Sequence, residues 1–155
     1  MAAEPLATES TILAFDFGTR KIGVAVGNTL IRIAHPLTTI ASASAESRFA
    51  AVADLIAQWR PGALVVGRPV HADGTAHEMT ASAEKFARQL EGRFAIPVER
   101  ADERYSTRGA VAALAEIAGT RAEARKAARD AVAAQLILQA WFDRGPRSDE
   151  PDATA

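Results

Sequence analysis

Residues 12–17 read ILAFDF, a strand-length apolar run broken by one acid, Asp16, and closed by Gly18-Thr19. A short apolar run bounded by turn formers suits a buried strand. Ile22 to Val26 repeats the pattern directly afterwards. Two such strands joined by a tight turn make a hairpin, so the chain is expected to open on an antiparallel pair.

The segments that follow alternate between the two periods. Ile31 to Ile40 supplies a third strand, with a bend because Pro36 has no N–H for a central ladder. Phe49, Val52, Ala53 and Ile56 recur at helical spacing, and Pro61-Gly62 ends that helix before the apolar strand Ala63 to Val66. Met79, Ala83, Phe86, Ala87 and Leu90 mark a second helical face, and Ile96 to Arg100 a short strand after Gly92. Ser106 or Thr107 can cap a short helix carrying Val111, Leu114 and Ala118 and ended by Gly119. A long alanine-rich helix spans about Ala122 to Phe142. The order predicts an α/β fold with a mixed five-stranded sheet, antiparallel at its start and parallel at its finish, flanked by helices. That is the element order of a ribonuclease H-like fold, although the pattern also permits a flavodoxin-like domain.

With 155 residues, 48% of them hydrophobic and 24% charged, the chain can bury one core without disulfides or a structural metal. The domain is expected over residues 11–143, between flexible polar tails at 1–10 and 144–155. There is no cysteine, which excludes disulfides, thiolate zinc sites and cysteine nucleophiles and agrees with a reducing cytosol. Neither a signal-like start nor an apolar run of membrane-spanning length is present, so a cytoplasmic location and no membrane partner are expected. A net charge of −1 speaks against a wholly basic, nucleic-acid-coating surface but leaves room for a local basic stripe.

Carboxylates stand out at three places in the chain. Asp16 interrupts the most apolar strand, where an ionised group needs a compensating partner. It either hydrogen-bonds the Gly18-Thr19 turn, as Asp often does, or meets a cation or phosphate at the strand end. The second reading is preferred. Asp102 and Glu103 lie where the last strand gives way to a helix, and strand ends are where α/β folds place their chemistry. Glu103 is the expected ligand and Asp102 its support, the alternative being acids that complement a helix dipole, with Arg104 as their counter-ion. Asp130 precedes Ala134, Ile137, Leu138 and Trp141 by 4, 7, 8 and 11 residues, which sets it on the apolar helix face. Lys126, one turn earlier, is an alternative partner for it.

Together Asp16, Glu103 and Asp130 form an all-oxygen donor set suited to Mg²⁺ or Mn²⁺. Such ions lower the pKa of an attacking water and offset charge on a phosphate, so no protein nucleophile is needed. The serines show no triad, and His35, His71 and His77 form no spaced metal motif. Arg121, Arg125 and Arg129 repeat every fourth residue just before Asp130, a stripe able to hold phosphates, or equally a solvated face paired with Glu116 or Glu123. Arg20 and Lys21 in the first turn add to the same surface. Tyr105 is the one aromatic near the acids able to stack on a base.

Read in order, FDFGTRKIGVAVGN, AHPLTTI, LVVGRPVHADGT, VERADERYST and RDAVAAQLILQAWF resemble the YqgF/RuvX family over nearly the whole domain. The resemblance implies a ribonuclease H-like nuclease related to the Holliday-junction resolvase RuvC and associated with 5′-end maturation of 16S rRNA. Carried over by position, the family's acidic triad falls on Asp16, Glu103 and Asp130. The chain departs from the family pattern at Arg68, where an apolar residue is usual, near His71, where Asn is common, and at Asn28, often an acid. Arg68 and His71 therefore stand where phosphate or base contacts would differ, while Gly67, Pro69 and Asp73-Gly74 also suit plain turns.

The expected activity is metal-dependent phosphodiester hydrolysis on pre-16S rRNA, presented alone or in a pre-ribosomal particle. Structured DNA, in particular a four-way junction, is the competing substrate. A non-catalytic RNA-binding, ribosome-assembly or transcription factor would carry the same acids for folding. An actin-like or sugar-kinase ATPase also begins with an Asp and a Gly-Thr hairpin, but needs two lobes to enclose ATP. Monomer and homodimer both stay open.

Overall fold

In the computed structural model, residues 9–18, 20–68, 80–102 and 122–144 are described, and of these the side chains of Arg68, Asp102 and 122–130 lie outside the description. The strands are β1 (Thr11–Phe17), β2 (Lys21–Asn28), β3 (Ala34–Ala41), β4 (Ala63–Arg68) and β5 (Val98–Asp102). The helices are α1 (Ala45–Trp59), α2 (Thr80–Phe94) and α3 (Ala122–Asp143). One five-stranded sheet runs in the order β3-β2-β1-β4-β5. The first three strands pair antiparallel, and β1 with β4 and β4 with β5 pair parallel. This is the mixed sheet expected from the sequence. The short helix expected after Ser106 falls outside the described residues.

Gly18 is needed in the opening hairpin, because a Cβ there would lie 2.6 Å from the Lys21 carbonyl oxygen. That approach is far inside van der Waals contact and involves backbone that cannot swing away. β3 lies at the sheet edge, which is where a proline is tolerated, and the register shifts opposite Val24 and Ala25 so that Leu37 is the extra residue beside Pro36.

β3 is shorter than expected at its start. The Asn28 side-chain oxygen accepts from the N–H groups of Leu30 (2.7 Å) and Ile31 (3.3 Å), and its carbonyl accepts from Arg32 N–H at 2.7 Å. This side-chain-made turn captures the backbone, Arg32 adopts φ 60°, and Leu30, Ile31 and Ile33 are left exposed. Glu9 and Ser10 bind the same turn, Ser10 exchanging hydrogen bonds with Thr29.

Ser44 caps α1 in a reciprocal arrangement with Ser47. The helix ends where Arg60, with φ 47°, takes the left-handed conformation just before Pro61. Gly92 does not end α2. The helix continues to Phe94, and Ala95 carries the left-handed turn at φ 55°, so β5 starts at Val98 rather than Ile96.

Alternate residues of the strands feed two cores. Leu13, Phe15, Val24, Leu64 and Val66 pack against Phe49, Val52, Phe86 and Leu90 of α1 and α2. Ile12, Ala14, Ala25, Ala34, Ala63, Val65 and Ala101 pack against Ala134, Ile137, Leu138 and Phe142 of α3. At Gly27 a Cβ would come within 2.6 Å of the Phe142 ring, so the bare backbone is what admits that ring.

Candidate functional site

Parallel pairing aligns the carboxyl ends of three neighbouring strands. Val66 of β4 stands beside Phe15 of β1 and Arg100 of β5, so the residues just beyond that row are Asp16-Phe17, Gly67-Arg68 and Ala101-Asp102. Arg68 and Asp102 are register partners. The carboxyl-terminal edge of the sheet thus carries Asp16 with the parity of the α3 face and Arg68 and Asp102 with the parity of the α1/α2 face, with Glu103 the next residue in sequence. Strand ends of this kind are where α/β sheets place ligands.

Strand alternation decides the faces. Asp16 follows the parity of Ile12 and Ala14, both buried in the α3-side core, and is itself half-buried. Its cross-strand partner is Gly23, which contributes no side chain beside the carboxylate. Phe17 has the opposite parity and packs with the α1/α2 core, its ring 5.0 Å from that of Phe86.

The carboxyl-terminal half of α3 is pinned to the start of β1 and its neighbours. Ala34 donates to Gln139 Oε1 at 2.9 Å and accepts from Gln135 Nε2 at 3.0 Å, and the Phe142 ring lies at Gly27, the register partner of Ile12. Position 130 lies in the same helix one turn before Ala134, which is fully buried against the sheet. The side chains of Asp130, Arg125 and Arg129 are outside the described set, as are Glu103, Arg104, Tyr105, Arg121, His71 and His77 entirely. Arg20 is exposed and Lys21 half-buried at the start of β2. His35 is exposed on the edge strand, away from the carboxyl ends of β1, β4 and β5. Among the described residues no three His, Cys, Asp or Glu side chains come together as a metal-binding group.

Two arginines that sequence inspection passed over are ordered near this edge. Arg100, two residues before Asp102, reaches α2, where Nη2 meets Glu84 at 2.8 Å, Nε meets it at 3.2 Å, and Nη1 meets Glu91 at 2.8 Å. The hydrogen bonds to Glu91 and Glu84 hold the guanidinium even further above its ordinary value. Reciprocally, the bond from Arg100 lowers the Glu91 carboxyl, against the opposing effect of what burial it has. Glu84 and Glu91 are seven apart, two turns on one helix face, which was the available sequence signal. The second is Arg48 in α1. Its Nε donates to Ser42 Oγ at 2.7 Å, and its guanidinium carbon lies 5.4 Å from the Phe17 ring centroid and 5.9 Å from that of Phe49.

Comparison with known proteins agrees with this architecture. Residues 10–144 match the family described as RuvX, Holliday junction resolvase. A Dechloromonas aromatica protein named "Putative pre-16S rRNA nuclease" is 56% identical over 86% of this chain and 90% of its own length. A Nitrosomonas europaea protein of the same name is 53% identical over 88% of this chain and 92% of its own. Among solved structures, T. thermophilus RuvC in complex with a Holliday junction substrate superposes with a TM-score of 0.52 at 17% identity, over 87% of this chain and 94% of that one. At that identity the likeness shows the ribonuclease H-like fold.

Proposed function

The chain belongs to the RuvX family, and from that membership we propose that it is a metal-dependent nuclease that hydrolyses phosphodiester bonds in the 5′ leader of pre-16S rRNA. The observation that carries the reading is Asp16, a carboxylate at the carboxyl end of the central strand, on the α3 face. Relatives above 50% identity that bear the pre-16S name favour RNA as the substrate.

Asp16, Glu103 and Asp130 are the proposed catalytic and metal-holding residues, with Asp102 in support. The donor chemistry fits Mg²⁺ or Mn²⁺, since these positions offer carboxylate oxygens and neither thiol nor imidazole. A divalent ion bound there supplies Lewis acidity toward the phosphate and lowers the pKa of an attacking water. The protein's own part is positional. β1 fixes Asp16 at a rigid strand end, with Gly23, which carries no side chain, as its cross-strand partner. Arg20, Lys21, Arg68, Arg104, Arg121, Arg125 and Arg129 supply positive charge for the phosphates around that edge. A substrate of this kind places the protein in the cytoplasm, with the pre-ribosomal particle as a partner.

The test is cleavage of a labelled pre-16S 5′ leader with Mg²⁺ or Mn²⁺ by wild type and Asp16→Asn prepared identically. The expected result is metal-dependent cutting whose rate falls on the order of 100-fold or more in the variant. Equal cutting by both proteins would remove Asp16 from the chemistry. No cutting by either, with pre-ribosomal particles supplied, would leave a binding or assembly factor. The family description favours one second reading, cleavage of a four-way DNA junction. Rates on junction and leader measured side by side decide between the two substrates.

A further inference from the structure

A guanidinium already held in place binds a phosphate at a smaller entropic cost than one on a free side chain. Arg48 is such a group. Ser42, only 5% exposed, accepts its Nε–H, and the Ser42 N–H donates at 2.8 Å to the carbonyl of Arg20, which joins α1 to the β1–β2 turn. Phe17 and Phe49 both lie within cation–π range of the guanidinium. These contacts use Nε and the ring faces. Neither η nitrogen has a hydrogen-bond or ion-pair partner among the described residues, although Glu46 stands in the same turn of α1.

The location matters as much as the geometry. Phe17 directly follows Asp16 and points to the opposite sheet face, so Asp16 and Arg48 flank one strand end from two sides. Lys21 begins the neighbouring strand at that same end, with Arg20 just before it. By contrast, Arg93, which also lies over Phe49, stands in the last turn of α2 and has no such link to the β1–β2 turn among the described residues. We propose that Arg48 is a phosphate-binding residue for the RNA substrate, gripping the strand on the α1 side of β1 while the cleavage site lies on the α3 side. This rests on the nuclease reading above for the identity of the nucleic acid.

The test uses the full chain and a fluorescently labelled pre-16S leader, with binding followed by anisotropy in EDTA across a potassium chloride series and cleavage followed with Mg²⁺. Arg48→Gln is expected to weaken binding about fivefold and to reduce the slope of log affinity against log salt by about 0.7, the contribution of one single-strand phosphate contact. The cleavage defect falls in KM rather than kcat. Arg48→Lys keeps the slope and loses about twofold in affinity, because the charge remains while the hold of Ser42 and Phe17 does not. Ser42→Ala leaves the charge and releases its anchor, so it gives a weaker complex at unchanged slope even if Arg48→Gln fails to fold. Wild-type affinity and slope in folded Arg48→Gln, or in Ser42→Ala where only that variant folds, would overturn the proposal. Wild-type binding without cutting would sink the nuclease reading while the slopes still judge Arg48. No binding by wild type would sink both.

Discussion

The two faces of the sheet are built on opposite principles. Toward α1 and α2 the core is bulky: Phe86 meets Phe15 edge-on at 5.9 Å and stacks with Phe49 at 5.8 Å, with leucines and valines around them. Toward α3 the sheet offers Ala14, Ala25, Ala34, Ala63 and Ala101, and α3 answers with Ala134. Large side chains hold two helices away from the sheet, whereas small ones let one helix lie close. The difference separates duties. Among the described residues the aromatic face holds most of the bulky buried side chains, and the alanine face carries Asp16 and the helix that contains position 130.

The contrast predicts unequal responses to substitution. Phe86→Ala removes the ring on which three others converge and should destabilise by about 3–5 kcal/mol, read from chemical denaturation. A loss under 1 kcal/mol would mean that the aromatic face is loosely packed and the contrast false. On the other face the damaging change is addition. Gly27→Ala drives a methyl into the Phe142 ring and should cost about 1–3 kcal/mol. Pairing it with Phe142→Leu should recover part of that loss, and strict additivity in the double-mutant cycle would break the account of close approach.

The smallest expected effect lies at the margin of the aromatic face, in the clamp of Arg100 on Glu84 and Glu91. Arg100→Gln should cost about 1 kcal/mol at neutral pH, limited by solvent screening of partly exposed partners. Glu91 has its folded-state carboxyl lowered, so its stabilisation is fully present above the ordinary value of 4.5 and is lost as the pH falls through the lowered one. The gap between wild type and variant should therefore narrow in acid. A gap of equal size at pH 3 and pH 7 would assign the effect to packing of the arginine stem instead.

Much of this was legible in the chain order of residues. The period-2 and period-3.6 segments located five strands and the three described helices, since apolar periodicity directly reports which side of an element is buried. Asp16 was legible for the same reason, as the polar exception in an apolar run. The misplaced boundaries share one cause. Asn28 captured the backbone after β2, and Arg32 and Ala95 took left-handed conformations without being glycine, so local composition hid where β3 began and where α2 ended.

By itself, then, the sequence determined the elements, their buried sides and the acids that break them, because each follows from periodicity and from the cost of desolvating a charge. Only the tertiary structure decided which strands became neighbours, that the ends of β1, β4 and β5 share one edge, and that Arg48 and Arg100 are ordered beside it. Those are non-local facts: Arg48 meets Phe17, and Arg100 meets Glu84, only because parallel pairing and helix packing bring distant stretches of chain together.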